Sequence, residues 1–137
     1  MGQPTTRADA AQTFHVNVHT ARNLPAFSTP EYDTLIRRAI EDALAHWQIS
    51  CLAWQIMPTH IHLVILSFPD LPLGWIMRLI KGRTAHELMA LAPELRGELG
   101  DHLWQTDYDW VEITNQRQCA AAVRYVRENR RAAGLEE

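Results

Sequence analysis

Cysteine is scarce in this chain of 137 residues, which contains only Cys51 and Cys119. Neither belongs to a Cys-x-x-Cys pair, and both lie among apolar neighbours. This usage favours neither a disulfide framework nor a zinc site. We therefore interpret the two thiols as small core residues of a protein from a reducing compartment.

Long hydrophobic runs are also missing, since no stretch approaches the ~20 apolar residues that a bilayer-spanning helix needs. The first residues, MGQPTTRADAAQ, are polar and lack the apolar segment of a signal peptide. The sequence predicts a cytoplasmic protein with no membrane partner. Its length and its 47% apolar content fit a single domain over residues 1–137, of which 1–12 form a flexible tail.

Positive charge is not in excess, because the chain has 13 Lys and Arg and 16 Asp and Glu, which gives a net charge of −3. Nucleic-acid-binding domains are usually basic, so composition alone does not favour DNA. The choice of cationic residue is more favourable to DNA binding, since twelve of the 13 are arginines, which suit bidentate phosphate contacts. Five of them lie in the last 21 residues: Arg117, Arg124, Arg127, Arg130 and Arg131. A solvated helix face is the alternative explanation for that cluster.

The apolar periodicity predicts four strands and three helices. The strands are expected at about 13–20, 49–57, 60–65 and 110–113, and the helices at about 30–47, 73–88 and 115–132. Gly82 should loosen the second helix, a less ordered connection should follow it, and Gly134 should stop the last helix. The order β-α-β-β-α-β is that of the split βαβ, ferredoxin-like fold of class α+β, with an additional C-terminal helix.

The most informative segment is MPTHIHLVI, from Met57 to Ile65. Strand side chains alternate, so His60 and His62 should point to one face while Ile61 is buried on the other. Two imidazoles on one face can bind a divalent cation if a third ligand arrives from another element. A pair of ordinary histidines at the mouth of a strand is the alternative.

The terminal helix supplies a possible third ligand. In CAAAVRYVRENRRAAGL the core stripe passes through Cys119, Val123 and Val126, whereas Tyr125 and Asn129 lie one turn apart on a neighbouring face. If this helix packs beside the histidine strand, the Asn129 amide oxygen could complete a metal shell of mixed nitrogen and oxygen ligands. Such a shell suits Mg²⁺ or Mn²⁺.

These segments resemble the one-tyrosine HUH transposases of small insertion sequences, including the REP-associated tyrosine transposases. MPTHIHLVI is similar to their His-apolar-His strand, FHVNVHTARNLPAF to their first strand and loop, and YVRENRRAAGL to their tyrosine helix. Two departures are Thr59, where asparagine is common, and Arg130, where proline is usual.

The resemblance implies a metal-dependent enzyme that cuts and rejoins single-stranded DNA through a 5′-phosphotyrosine. It implies Tyr125 as the nucleophile, His60, His62 and Asn129 as ligands of Mg²⁺ or Mn²⁺, hairpin-containing DNA as the partner, and a possible homodimer. Tyr108 is a second candidate tyrosine. The runner-up function is a domesticated relative that binds or nicks repeat hairpins without transposing.

DNA contacts are predicted from the position of cations on elements that border the site, and a solvated surface cation is the alternative for each. The candidates are Arg22, Lys81 and Arg127. Among the other histidines, only His19 lies on a strand face that makes it a spare ligand. Two further classes are disfavoured. A histidine-triad hydrolase needs a third alternating histidine where Val64 stands, and a stacking module for single strands needs exposed sheet aromatics.

Overall fold

A computed structural model describes residues 10–132, which form a four-stranded antiparallel sheet with helices on both faces. The strands are β1 (Gln12–His19), β2 (Cys51–Met57), β3 (His60–Ser67) and β4 (Asp109–Ile113). The helices are α1 (Pro30–His46), α2 (Leu73–Leu91), α3 (Arg96–Leu99) and α4 (Gln116–Ala132). The predicted α+β architecture with an added C-terminal helix is confirmed.

The ends of the chain are only partly covered by this description. Residues 1–9 of the predicted tail and the predicted stop at Gly134 lie outside the described residues. Within the described part, Gln12 already opens β1. No helix between residues 10 and 132 combines the length and apolar character needed to cross a bilayer.

The order of strands in the sheet is β2-β3-β1-β4, so the two central strands are β1 and β3. They pair antiparallel, with Asn17 opposite His62 and His19 opposite His60. Because directly opposed side chains of an antiparallel pair share a face, this register gathers polar residues of both strands on one side of the sheet.

The opposite side of the sheet carries the main core. Its alternating side chains are at most 1% exposed: Val16, Val18, Ile56, Ile61, Leu63 and Ile65. Helices α1 and α2 cover them with Ile36, Ile40, Ile76 and Ile80. Thr29 begins α1 by accepting a hydrogen bond from the Tyr32 amide at 3.2 Å, with Pro30 in the first turn.

Helix α4 covers part of the polar side, where it forms a second, smaller apolar cluster. Val126 is fully buried against Ala53 and Val64. At the other end, the Arg130 guanidinium donates to the Ile56 carbonyl at 2.7 Å and lies 3.5 Å from the Asp33 carboxylate of α1. These contacts fix α4 across the edge strand β2 of its own chain.

Two local expectations differ from the structure. Helix α2 runs without interruption through Gly82, because that glycine is exposed and its neighbours Ile80 and Thr84 are buried. The connection after α2 forms a 3-10 turn (Pro93–Leu95) and α3, since Leu95 and Leu99 pack into the core.

The two cysteines are free, and each is half-buried instead of lying inside the core. Cys51 packs against the edge of the main core, and burial raises the pKa of its thiol to about 11. Such a thiol is protonated at neutral pH and is a poor metal ligand.

Candidate active site

The paired histidines of β3 converge on the side of the sheet that α4 partly covers. The His60 and His62 ring centroids are 4.6 Å apart, and their Nε2 atoms are separated by 3.0 Å. This is shorter than the roughly 6–7 Å repeat between alternate strand residues, because the two rings turn toward each other. Two ring nitrogens are thus aimed at one point.

Burial keeps this pair uncharged. His62 is only 3% exposed, and burial, with smaller contributions from neighbouring histidines, lowers its pKa to about 3. Burial also lowers the pKa of His60, with His19 adding to the effect. Both imidazoles are therefore neutral near pH 7, which is the form whose lone pair can bind a metal.

The Nδ1 atoms of His60 and His62, which point away from each other's ring, also have polar partners. The Thr59 hydroxyl lies 3.1 Å from Nδ1 of His60, and Nε2 of His15 lies 3.3 Å from Nδ1 of His62. Contacts of this kind fix the orientation of an imidazole that presents its other nitrogen elsewhere. Thr59 thus supplies a polar atom at the position where it departs from the family pattern.

Tyr125 lies beside this cluster and is 53% exposed. Its ring meets His62 edge-on at a centroid distance of 5.7 Å and meets His15 in the same manner at 5.8 Å. The neighbouring Val126 is the buried anchor of α4, so the phenol is held at the cluster by a residue that points into the sheet. The tyrosine and the histidine pair come from the same chain.

Two amides are candidate partners of the histidines, Asn129 from the sequence and Asn17 from the strand pairing. Asn129 is half-buried, and no hydrogen bond joins its side chain to another residue within the described range. Its neighbour Arg130 donates to the Ile56 carbonyl, and Ile56 pairs with Ile61, which lies between the two histidines in β3. Asn17, opposite His62, has a buried Oδ1 with no hydrogen-bond partner among residues 10–132.

The expected spare ligand, His19, is engaged differently. Its ring stacks on His60 at 4.9 Å, and its Nδ1 lies 3.1 Å from the Asn23 side-chain oxygen. Across the described part of the chain, no group of three or more His, Cys, Asp and Glu side chains is arranged to hold a metal ion.

The predicted DNA contacts do not share a common environment. The Arg22 guanidinium donates to the Glu98 carbonyl, and Arg127 is exposed on α4. The Lys81 ammonium donates to the carbonyls of Gln105 and Thr106 at 2.8 and 2.7 Å, so two of its three donors are already used. A phosphate contact by Lys81 would have to compete with these bonds.

Tyr108, the second candidate tyrosine, packs against the main core and lies 5.9 Å from the Lys81 ammonium. No ring contact joins it to a histidine anywhere in residues 10–132. Of the two tyrosines, only Tyr125 accompanies the histidine pair.

Comparison with known proteins identifies the family of the chain. The family model described as "Transposase IS200 like" matches residues 11–129 of the chain. The chain belongs to this family. The ISDra2 transposase TnpA of Deinococcus radiodurans is 24% identical over 74 residues, which cover 53% of this chain and 53% of that protein. The match thus spans about half the length of this relative of the transposase family.

Two solved structures share the fold. A proposed transposase from Deinococcus radiodurans R1 superposes with a TM-score of 0.70 at 18% identity, over 94% of this chain and 95% of that one. A REP-associated tyrosine transposase bound to a REP hairpin gives a TM-score of 0.65 at 19% identity, over 99% of this chain and 74% of that one. At these identities the likeness establishes the architecture.

Two residues of the site went unrecognised in the sequence, His15 and Asn17. The alternation of β1 places both on one face with His19, and this pattern was the available signal. Its meaning depended on the pairing of β1 with β3, which brings His15 and Asn17 beside His62.

Proposed function

We propose that this member of the transposase family cuts and rejoins single-stranded DNA through a covalent phosphotyrosine at Tyr125, with a divalent ion held by His60 and His62. The observation that carries the proposal is the contact of the Tyr125 ring with His62, at 5.7 Å, where Nε2 of His62 meets Nε2 of His60 at 3.0 Å. A nucleophile and a bis-imidazole site thereby meet within one chain.

The residues fit a divalent metal. Two neutral imidazoles present converging nitrogens, and their outer nitrogens are held by Thr59 and His15. We propose Asn129 as the third ligand, since an amide oxygen completes a shell compatible with Mg²⁺ or Mn²⁺. The buried, unpartnered oxygen of Asn17 is further support, because a buried acceptor without a donor is unfavourable unless a cation or bound water meets it. When bound, such an ion would neutralise charge on a phosphate and polarise its phosphorus.

The role of Tyr125 follows from its chemistry. A phenol has a pKa near 10 in water, so the hydroxyl must lose its proton as its oxygen attacks phosphorus. The half-exposed ring gives that proton a direct route to solvent. The new bond joins the phenolic oxygen to the 5′-phosphate, and the bond to the 3′-oxygen breaks, leaving a free 3′-hydroxyl once that oxygen gains a proton.

The phosphotyrosine keeps the energy of the broken phosphodiester. A second 3′-hydroxyl can therefore attack it, which releases the phenol and joins two strand ends without a nucleotide cofactor. Hairpin-containing single strands are the proposed substrate, supported by the structural neighbour that is bound to a REP hairpin. Arg22, Lys81 and Arg127 stay proposals as phosphate contacts, and Arg127 is the best supported because its side chain is exposed on the helix that carries Tyr125.

The direct test is covalent trapping. A pool of 3′-labelled hairpin oligonucleotides with randomised single-stranded flanks is incubated with the protein and Mn²⁺, then separated under denaturing conditions. The 3′ label stays with the protein-bound fragment, because the tyrosine takes the 5′-phosphate. We expect a denaturation-resistant adduct with the wild type and with Tyr108→Phe, and none with Tyr125→Phe.

An adduct that survives unchanged in Tyr125→Phe would refute the nucleophile. Hairpin binding by the wild type with no adduct from any member of the pool would refute the enzyme and favour the domesticated, binding-only relative.

A further inference from the structure

His15 occupies a position between the histidine pair and the tyrosine. Its Nε2 atom lies 3.3 Å from Nδ1 of His62, and its ring lies 5.8 Å from that of Tyr125 at an interplanar angle of 63°. It comes from β1, whereas the pair comes from β3 and the tyrosine from α4. His15 thus contacts both functional elements without belonging to either.

The position of the proton on His62 decides which nitrogen donates in this contact. If Nε2 of His62 binds an ion, its other nitrogen, Nδ1, must carry the proton, because a neutral imidazole has one protonated nitrogen. That N–H needs an acceptor, since His62 is only 3% exposed. The nearest partner is Nε2 of His15, which accepts when His15 is the neutral Nδ1–H tautomer.

The same logic applies to the other ligand. Thr59 provides a hydroxyl oxygen 3.1 Å from Nδ1 of His60, so each imidazole of the pair has one outer partner. The two partners differ in what else they do. Thr59 is the residue before His60 in the chain, whereas His15 also meets the Tyr125 ring.

We propose that His15 is a positioning residue whose Nε2 accepts a hydrogen bond from the Nδ1–H of His62, so that Nε2 of His62 faces the ion, and that its ring provides a surface against which Tyr125 is held. This inference rests on the proposed function, because it assumes that the pair binds a divalent ion. It assigns His15 no contact with phosphate.

Two substitutions separate the hydrogen-bond acceptor of His15 from its ring. His15→Phe keeps a ring beside Tyr125 and removes the acceptor, whereas His15→Gln keeps an acceptor oxygen and removes the ring. His86→Gln is the matched control, because His86 is exposed on α2. Each variant is first checked for native folding by its amide NMR spectrum, and Mn²⁺ affinity is then measured by titration calorimetry.

A second readout requires no substitution. In the uniformly ¹⁵N-labelled wild type saturated with Mg²⁺, scalar coupling across the hydrogen bond should join Nδ1 of His62 to Nε2 of His15. The coupling reports the hydrogen bond itself. A His62 ring with an unprotonated Nδ1, or a His15 ring with a protonated Nε2, would overturn the proposal whatever the variants do.

The expected calorimetric result is a loss of about 10- to 100-fold in Mn²⁺ affinity for His15→Phe, the range typical of an outer hydrogen-bond partner, and a smaller loss for His15→Gln. Unchanged affinity in a folded His15→Phe would overturn the inference and leave the metal site standing. Failure of the wild type to bind Mn²⁺ would instead refute the metal site of the proposed function.

Discussion

The two faces of the sheet are made by alternate residues of the same strands, yet they have opposite characters. On β3, Ile61 is 1% exposed and belongs to the main core, whereas its neighbour His60 is half-buried and faces the candidate site. The first face gains its free energy from apolar burial under α1 and α2. The second has a smaller apolar cluster and carries the imidazoles and the phenol of the candidate site.

Two adjacent residues of helix α4 show the same separation between apolar packing and the candidate site. Val126 is fully buried against β2 and β3, and Tyr125 is mostly exposed beside His62. Residues that stabilise the fold and residues of the candidate site thus occupy neighbouring positions whose side chains point in different directions. A substitution can therefore change the free energy of unfolding without changing the candidate site, or the reverse.

The largest effect is expected from His60→Ala. Removing one of two converging imidazoles should lower adduct formation on hairpin DNA by more than about 100-fold, beyond the range for loss of an outer partner. The folded structure should persist, because His60 is half-buried and outside both apolar clusters. Adduct yield on a denaturing gel and the thermal midpoint provide the two measurements. Wild-type adduct levels would show that His60 is not a ligand.

The matched change on the other face is Ile61→Ala, one residue further along β3. Truncating this fully packed side chain should reduce the free energy of unfolding by about 2–5 kcal/mol, measured by urea denaturation. Adduct yield per folded molecule should be nearly unchanged at a temperature where the variant is folded. A selective loss of adduct in folded protein would mean that the two faces are not separable.

A smaller effect is expected from Val126→Ala, which weakens the anchor of α4. Loss of two buried methyl groups should cost about 1–2 kcal/mol, felt mainly by α4 because its cluster is small. Hydrogen exchange should accelerate in α4 and leave α1 unaffected. Equal acceleration in both helices would indicate that α4 is part of one cooperative unit with the main core.

The remaining prediction is a pH dependence of the free energy of unfolding. Burial lowers the pKa of His62 to about 3, while in the unfolded chain it is near 6.5. As the pH falls, the unfolded state binds the proton first, so the contribution of neutral His62 is complete above about pH 6.5 and is lost progressively toward pH 3. The free energy of unfolding, measured by urea denaturation, should decrease from pH 8 to pH 5. This decrease should be smaller in His62→Gln than in the wild type. An identical decrease would show that His62 does not titrate in this way.

Much of this organisation could be predicted from local patterns. The alternation in β1 and β3, the Thr29-Pro30 helix start and the apolar stripe through Val126 each depend on neighbours in sequence, and the structure confirms them. The shared face of His60 and His62 follows from the same alternation.

The rest depended on contacts between distant segments. The role of His15 is visible only once β1 pairs with β3 and α4 crosses above them, since His15 and His62 are 47 residues apart in sequence. The hydrogen bonds of Lys81 to Gln105 and Thr106 likewise join α2 to a loop whose path has no local signature. The predicted loosening of α2 at Gly82 is not seen, because burial on both sides of it outweighs the low helix propensity of glycine.

The central claim, that one chain assembles both the ion-binding pair and the nucleophile, is tested most directly by mixing two inactive variants. Tyr125→Phe keeps the histidines, and His60→Ala keeps the tyrosine. Equal amounts of the two, incubated together with labelled hairpin DNA and Mn²⁺, should form no more adduct than either alone, because α4 is fixed to its own β2 by Val126 and Arg130. Recovery of adduct in the mixture would contradict the account, since it would require Tyr125 of one molecule to serve the histidine pair of another.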